Sequence, residues 1–128
     1  MKSSPPIPSN SELEILRILW KKGPRTVREV HDALGRERRI GYTTALKTMQ
    51  VMAEKGLVTR DESERSHVYA FAVEEKSIKR RLVSDLLDRA FDGSAAKLVM
   101  HALSEKRASP EDLKQIRKLL NNYPRGGK

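Results

Sequence analysis

The spacing of apolar residues changes at Gly56-Leu57, and that change decides what the chain can build. Before it, three segments repeat at helical spacing. Ser9 and Glu12 form the Ser-x-x-Glu pattern of a capping box and open the first segment. Leu13, Leu16 and Trp20 share its stripe, with Ile15 and Leu19 beside them, until Gly23-Pro24 stops it. Thr26 and Glu29 repeat the box, and Val27, Val30, Ala33 and Leu34 mark a shorter helix ending at Gly35. Past the linker RERRIG, a third helix starts with Tyr42 or Thr43 near its cap and ends at Lys55-Gly56. After the change, LVTRD reads as a short strand, DESERSH as a polar turn, and HVYAFAV alternates as a second strand. Three helices and a two-stranded hairpin make a small unit in which helices two and three are laid out as a helix-turn-helix with a wing.

From residue 74 the helical period returns. Ile78, Leu82, Leu86 and Phe91 lie near one stripe, widened by Val83, Leu87 and Ala90, before Asp92-Gly93 breaks it. Ser94 can cap a helix bearing Leu98, Val99, Ala102 and Leu103. Ser109-Pro110-Glu111-Asp112 opens another, with Leu113, Ile116 and Leu120. Three short helices in roughly 50 residues, with few large side chains, cannot secure a core alone. Burial against a second copy is the remedy, so Leu82, Leu86, Leu98, Leu103, Ile116 and Leu120 are expected to hold a homodimer. The expected fold class is mainly α with a small β-hairpin. A loose tail (1–8) precedes a winged helix-turn-helix domain (9–73), a helical dimerisation arm (74–121) and a flexible end (122–128).

The net charge of +9 and a pI near 10.0 favour a polyanionic partner, nucleic acid first. Bulk charge does not locate the surface, because the two halves of the chain are equally basic. A narrower window does: residues 36–60 set Arg36, Arg38, Arg39, Lys47, Lys55 and Arg60 against Glu37 and Glu54. With no cysteine, disulfides, thiolate nucleophiles and cysteine metal sites are excluded. His31, His67 and His101 stand in different elements with no carboxylate at a metal-ligand interval, and no Gly-rich phosphate loop exists. His31 is expected on the surface of the second helix, and Trp20 and the methionines in the core. An enzyme has little support, and neither metal nor cofactor is expected. The N-terminal MKSSPPIPSN lacks the apolar core of a secretion signal and nothing later approaches a membrane span, so a cytoplasmic protein is expected.

The third helix is the candidate recognition element. Beside its apolar stripe of Leu46, Met49 and Ala53 it carries Thr43, Thr44, Lys47, Thr48 and Val51, with almost no acid. A solvated face is ordinarily a mixture of Lys and Glu, whereas hydroxyls, one lysine and small apolar groups suit base edges and phosphates. Tyr42 and the arginines Arg38 and Arg39 flank it. Arg65, at the hairpin tip, can enter a minor groove, although the acids at 61, 62 and 64 oppose a tight phosphate contact there. A second class stays open: a winged-helix module that docks a partner protein with the same helix, for which a more apolar surface is expected. An RNA binder lacks its stacking platforms here.

Two stretches, "LEILRILWKKGPRTVREVHDAL" and "GYTTALKTMQVMAEKGLVTRDESERSHVYAFAV", closely resemble the penicillinase-repressor family of bacterial winged-helix repressors (BlaI, MecI and CopY types). The E-x-L-x-x-LW run, the GP-T-V-x-E-V turn, the Y-T-T opening, the EKGLV exit and the V-Y strand carry the likeness. "LLDRAFDGSAAKLVMHAL" and "SPEDLKQIRKLL" are similar to the family's C-terminal helices, so it spans roughly residues 9 to 121. The resemblance implies a homodimeric transcriptional repressor that binds palindromic double-stranded DNA, commonly with TACA/TGTA half-sites. In the β-lactam branch a membrane sensor–peptidase leads to cleavage of the repressor, and the carried-over position is His101-Ala102. The Asn-Phe pair typical of that branch is absent there. The copper branch's C-terminal cysteine motif is excluded by the lack of cysteine.

Overall fold

The described residues of the computed structural model are 5–124, less the side chains of 36–38. They form, in order, α1 (Asn10–Lys22), β1 (Arg25–Thr26), α2 (Val27–Arg38), α3 (Tyr42–Lys55), β2 (Val58–Asp61), β3 (Val68–Phe71), α4 (Glu75–Ala90), α5 (Ala95–Ser104) and α6 (Pro110–Asn121). The chain divides into two compact units between Val83 and Ser84. The first is a winged helix: three helices on a small antiparallel sheet, with the β2–β3 hairpin as the wing.

Helix starts follow the expected caps. Ser9 Oγ accepts from the Glu12 amide, and the Glu12 carboxylate accepts from the Ser9 amide at 2.9 Å. Thr26 and Glu29 repeat this reciprocal bonding, as do Ser109 and Asp112, and Ser94 accepts from the Lys97 amide. Each satisfies orphan N–H groups of a first turn. The third helix departs from expectation. Its cap is Gly41, with no side-chain bond, so neither Tyr42 nor Thr43 is spent on capping. At its far end Gly56 sits at φ 84°, and Leu57 donates its amide to the Met52 carbonyl at 2.9 Å. That left-handed exit turns Leu57 back into the core.

The sheet holds a third strand where a two-stranded hairpin was expected. Arg25 pairs with Tyr69 and Thr26 with Val68, giving the order β1-β3-β2. Thr26 is thus both strand residue and helix cap. Helix α2 departs from helical geometry at Gly35 (φ 73°) and resumes for one short turn, where it was expected to end.

One core joins these elements. Ile15, Leu16 and Leu19 of α1 meet Val27 and Val30 of α2 and Ala45, Met49 and Met52 of α3, closed by Leu57, Val58 and Tyr69. Fully burying a Leu, Ile or Met side chain contributes about 1.5–3 kcal/mol, so this cluster dominates the unit's stability. Trp20 packs at its edge, and its indole N–H donates to the Val73 carbonyl at 3.0 Å. The core reaches past the expected boundary at 73/74. Ile78 is fully buried in it, and Leu82 packs against it from the next turn. Nor is the described part of the expected loose tail free: Pro8 is buried, and the Pro5 carbonyl accepts from Arg81 at 3.3 Å. Residues 1–4 lie outside the described residues, as do 125–128 at the other end.

The second unit is built differently. From Ser84 to Pro124 no residue is buried. Leu86, Val99, Met100, Leu103, Leu113, Leu119 and Leu120 are all exposed apolar side chains. Leu98 and Ile116 are half-buried, and an open groove between α5 and α6 is lined by Leu103, Ala108, Ile116 and Leu119. No helix among the described residues is long and apolar enough to cross a membrane.

Candidate nucleic-acid interface

Helix α3 buries Ala45, Met49 and Met52, which sets what it can present outward. Thr43, Lys47, Gln50 and Glu54 are all exposed and spaced four, three and four apart, so they form one row. Thr44, Thr48 and Val51, spaced four and three apart, line one flank of that row, Thr44 exposed and the other two half-buried. The Thr48 hydroxyl donates to the Thr44 carbonyl at 2.8 Å, which leaves its oxygen only an acceptor role toward any ligand. The expected recognition set is thus off-centre. Gln50 and Glu54 belong to the outward row, and Thr48 and Val51 stand at its edge. A helical-spacing count from Thr43 finds both missed residues, while a choice by residue type passes over them.

Between the start of α2, the flank of α3 and the hairpin lies an open cleft of about 510 Å³. It brings together Arg28, Tyr42, Gln50, Arg60, Arg65 and His67. Of these, Tyr42 and Arg65 were expected and Arg60 belonged to the basic window around the third helix; Arg28, Gln50 and His67 were not singled out. Arg28 stacks over the Tyr42 ring at 5.1 Å from its centroid, a cation–π contact that orients both groups at the cleft mouth. His31 approaches the same ring edge-on at 6.2 Å, and its Nε2 lies 2.7 Å from the Ile40 carbonyl. His31 therefore ties α2 to the α2–α3 turn, where a purely surface histidine was expected.

The acids of the wing are largely engaged within it. Asp61 accepts from the Ser63 amide at 2.9 Å, a bond that lowers its pKa below the usual carboxylate value. Glu62 meets Arg60 at 2.6 Å, and Arg60 is also bonded to the Tyr69 side chain, which raises its pKa further. These contacts pair two of the three acids within the hairpin, although both stay exposed. Arg65 remains exposed at the cleft; Arg39 is exposed outside it, just past α2 in the left-handed region at φ 50°. The side chain of Arg38 lies outside the described residues.

The far end of α3 is fixed by an ion pair. Lys55 Nζ reaches both carboxylate oxygens of Glu12, at 3.0 and 2.9 Å, so the acid that caps α1 also anchors the last turn of α3. Burial is the largest single influence on the Glu12 carboxyl and opposes ionisation. The bonds from Lys55 and Ser9, with the lysine's charge, outweigh it and hold the pKa below its ordinary value. Of the apolar residues expected to hold a second copy, Leu82 is engaged with the first unit's own core. Leu86, Leu103 and Leu120 are exposed, Leu98 and Ile116 half-buried. His101 and Ala102 are exposed on α5, and His101 contacts Phe91 edge-on at 5.9 Å. Among the described residues, no group of three or more His, Asp or Glu side chains could hold a metal ion.

This arrangement has close counterparts. The transcriptional regulator BlaI of Mycobacterium tuberculosis (strain H37Rv) is 33% identical over 103 residues, covering 79% of this chain and 75% of the relative. The penicillinase repressor of Bacillus licheniformis is 25% identical over 127 residues, 96% of this chain and 95% of that protein. The methicillin resistance regulatory protein MecI of Mammaliicoccus sciuri is 21% identical over 113 residues, 88% of this chain and 92% of that one. Among solved structures, the DNA binding domain of the repressor BlaI superposes with a TM-score of 0.51 at 26% identity, covering 60% of this chain and 93% of that domain. The sequence model of the penicillinase repressor family matches residues 8–122. With nearly its whole length matched, the chain belongs to the penicillinase repressor family.

Proposed function

We propose that the protein is a transcriptional repressor that binds a palindromic operator in duplex DNA as a homodimer. The observation that carries this reading is the outward face of α3, where Thr43, Thr44, Lys47 and Gln50 stand beside a cleft rimmed by Arg28, Arg60 and Arg65. Polar groups of both hydrogen-bonding senses suit the major groove, and the arginines suit the phosphates on either side. The wing, with Arg65, lies along the adjacent groove. Such a protein acts where the chromosome is, in the cytoplasm.

Dimerisation is assigned to the second unit, whose helices leave apolar side chains uncovered from Leu86 to Leu120 and bury none. Two linked half-sites bind far more tightly than one, so whatever removes this unit releases the operator. The release route we favour is proteolysis in α5, near the exposed His101-Ala102, driven by a sensor–peptidase. Selection of bound sequences from a random duplex library tests DNA binding and symmetry together. An inverted repeat is expected, with affinity falling steeply as salt rises. Recovery of no enriched sequence, or binding indifferent to salt, would overturn the reading in favour of a protein-docking module. An intact chain throughout derepression in cells would overturn the proteolytic route alone.

A further inference from the structure

Resting on the DNA-binding reading above, we infer that Gln50 is a specificity-determining residue that reads an adenine in each half-site. Three observations converge on it. Gln50 lies in the outward row of α3, three residues after Lys47, and it lines the cleft that Arg65 and Tyr42 share. Among the described residues its side-chain amide makes no hydrogen bond, so both its donor and its acceptor are available. Thr48, by contrast, has its hydroxyl proton committed to the Thr44 carbonyl.

The chemistry then selects the base. A primary amide presents one donor and one acceptor in a plane, and in the major groove adenine alone offers the matching acceptor and donor, N7 and N6–H, side by side. The neighbours decide between base and backbone. Glu54 stands one turn further along the same row, and a carboxylate there would be repelled by phosphate. This part of the row therefore faces base edges. The phosphates fall to Arg28, Arg60 and Arg65 at the cleft rim, which seat the amide at the depth of the bases.

The test uses the full chain and its Gln50→Ala and Gln50→Glu variants, each selected against a random duplex library. The wild type is expected to enrich one symmetry-related adenine that the alanine variant no longer prefers. Substituting that adenine should weaken wild-type binding by about 5- to 150-fold and leave the alanine variant nearly indifferent. The glutamate variant, which can only accept, should shift its preference there to cytosine. For Gln50→Ala the salt dependence should stay unchanged, because the side chain removed carries no charge. Three results would overturn the assignment alone: unaltered preferences in both variants, a uniform loss across all sequences, or a Gln50→Ala chain that loses its wild-type thermal midpoint. A wild type that enriches no duplex would overturn the DNA-binding reading and this inference with it.

Discussion

Glu12 links the first turn of α1 to the last turn of α3. It is 4% exposed, caps α1 through Ser9, and binds Lys55 with both oxygens. Glu12→Gln keeps an acceptor for the Ser9 amide but loses the charge, and with it the charge assistance of the lysine bonds. Because the Lys55 side chain remains 40% exposed, the freed ammonium returns to water, and the loss stays well short of that for a fully buried pair. We expect about 1 kcal/mol for Glu12→Gln and about 2–3 kcal/mol for Glu12→Ala, which also loses the capping bond and leaves a void. Urea denaturation of a chain ending at Val83 measures this on one compact unit, where two-state behaviour is expected. A double-mutant cycle with Lys55→Met should return a coupling of about 0.5–1.5 kcal/mol. The pH dependence carries the sign. The folded carboxyl titrates below its ordinary value of about 4.5, so its contribution is complete above that pH and disappears as pH falls through the lower, folded value. The gap between wild type and Glu12→Gln should therefore close on acidification. No coupling to Lys55, or a gap that widens in acid, would refute the reasoning.

Other outcomes follow from single residues. Gly56→Ala meets no steric obstacle but must hold φ 84°, and should cost about 1–2 kcal/mol, read as a lower thermal midpoint. Trp20→Phe leaves the Val73 carbonyl without its indole donor and should lose about 1–2 kcal/mol by urea denaturation. Lys47→Ala should reduce the salt slope of DNA binding by about one unit if it meets a phosphate, and leave the fold's midpoint unchanged. The chain ending at Val83 should sediment as a monomer and bind an operator far more weakly than the full chain.

Much of this architecture is local and therefore legible in the sequence. Ser9, Thr26, Ser94 and Ser109 announce their helices because a cap and the amides it satisfies lie within one turn. Strand β1 was not legible. Two residues carry no period, and their partners, Tyr69 and Val68, are more than forty positions away. The end of the first unit was misplaced for a similar reason. Ile78 and Leu82 continue a helical stripe that sequence assigns to the second unit, while the core they join was built by residues 15–69. The candidate interface was half legible. Residue type singled out Thr44, Lys47 and Arg65, but Arg28 enters only through its stacking on Tyr42 and its place beside the wing.

The double duty of Thr26 has a consequence for how this chain tolerates changes of length. One residue closes the sheet against Val68 and starts α2 through Glu29, so the connection from α1 to α2 has no slack at its second half. An insertion at residues 25–27 would have to unpair the strand or uncap the helix. The hairpin tip at 62–67 is exposed throughout and carries no such double tie, so length variation among chains of this architecture belongs there. Lengthening that tip would extend the reach of Arg65 without disturbing α3, giving the wing an evolutionary freedom that α3 lacks.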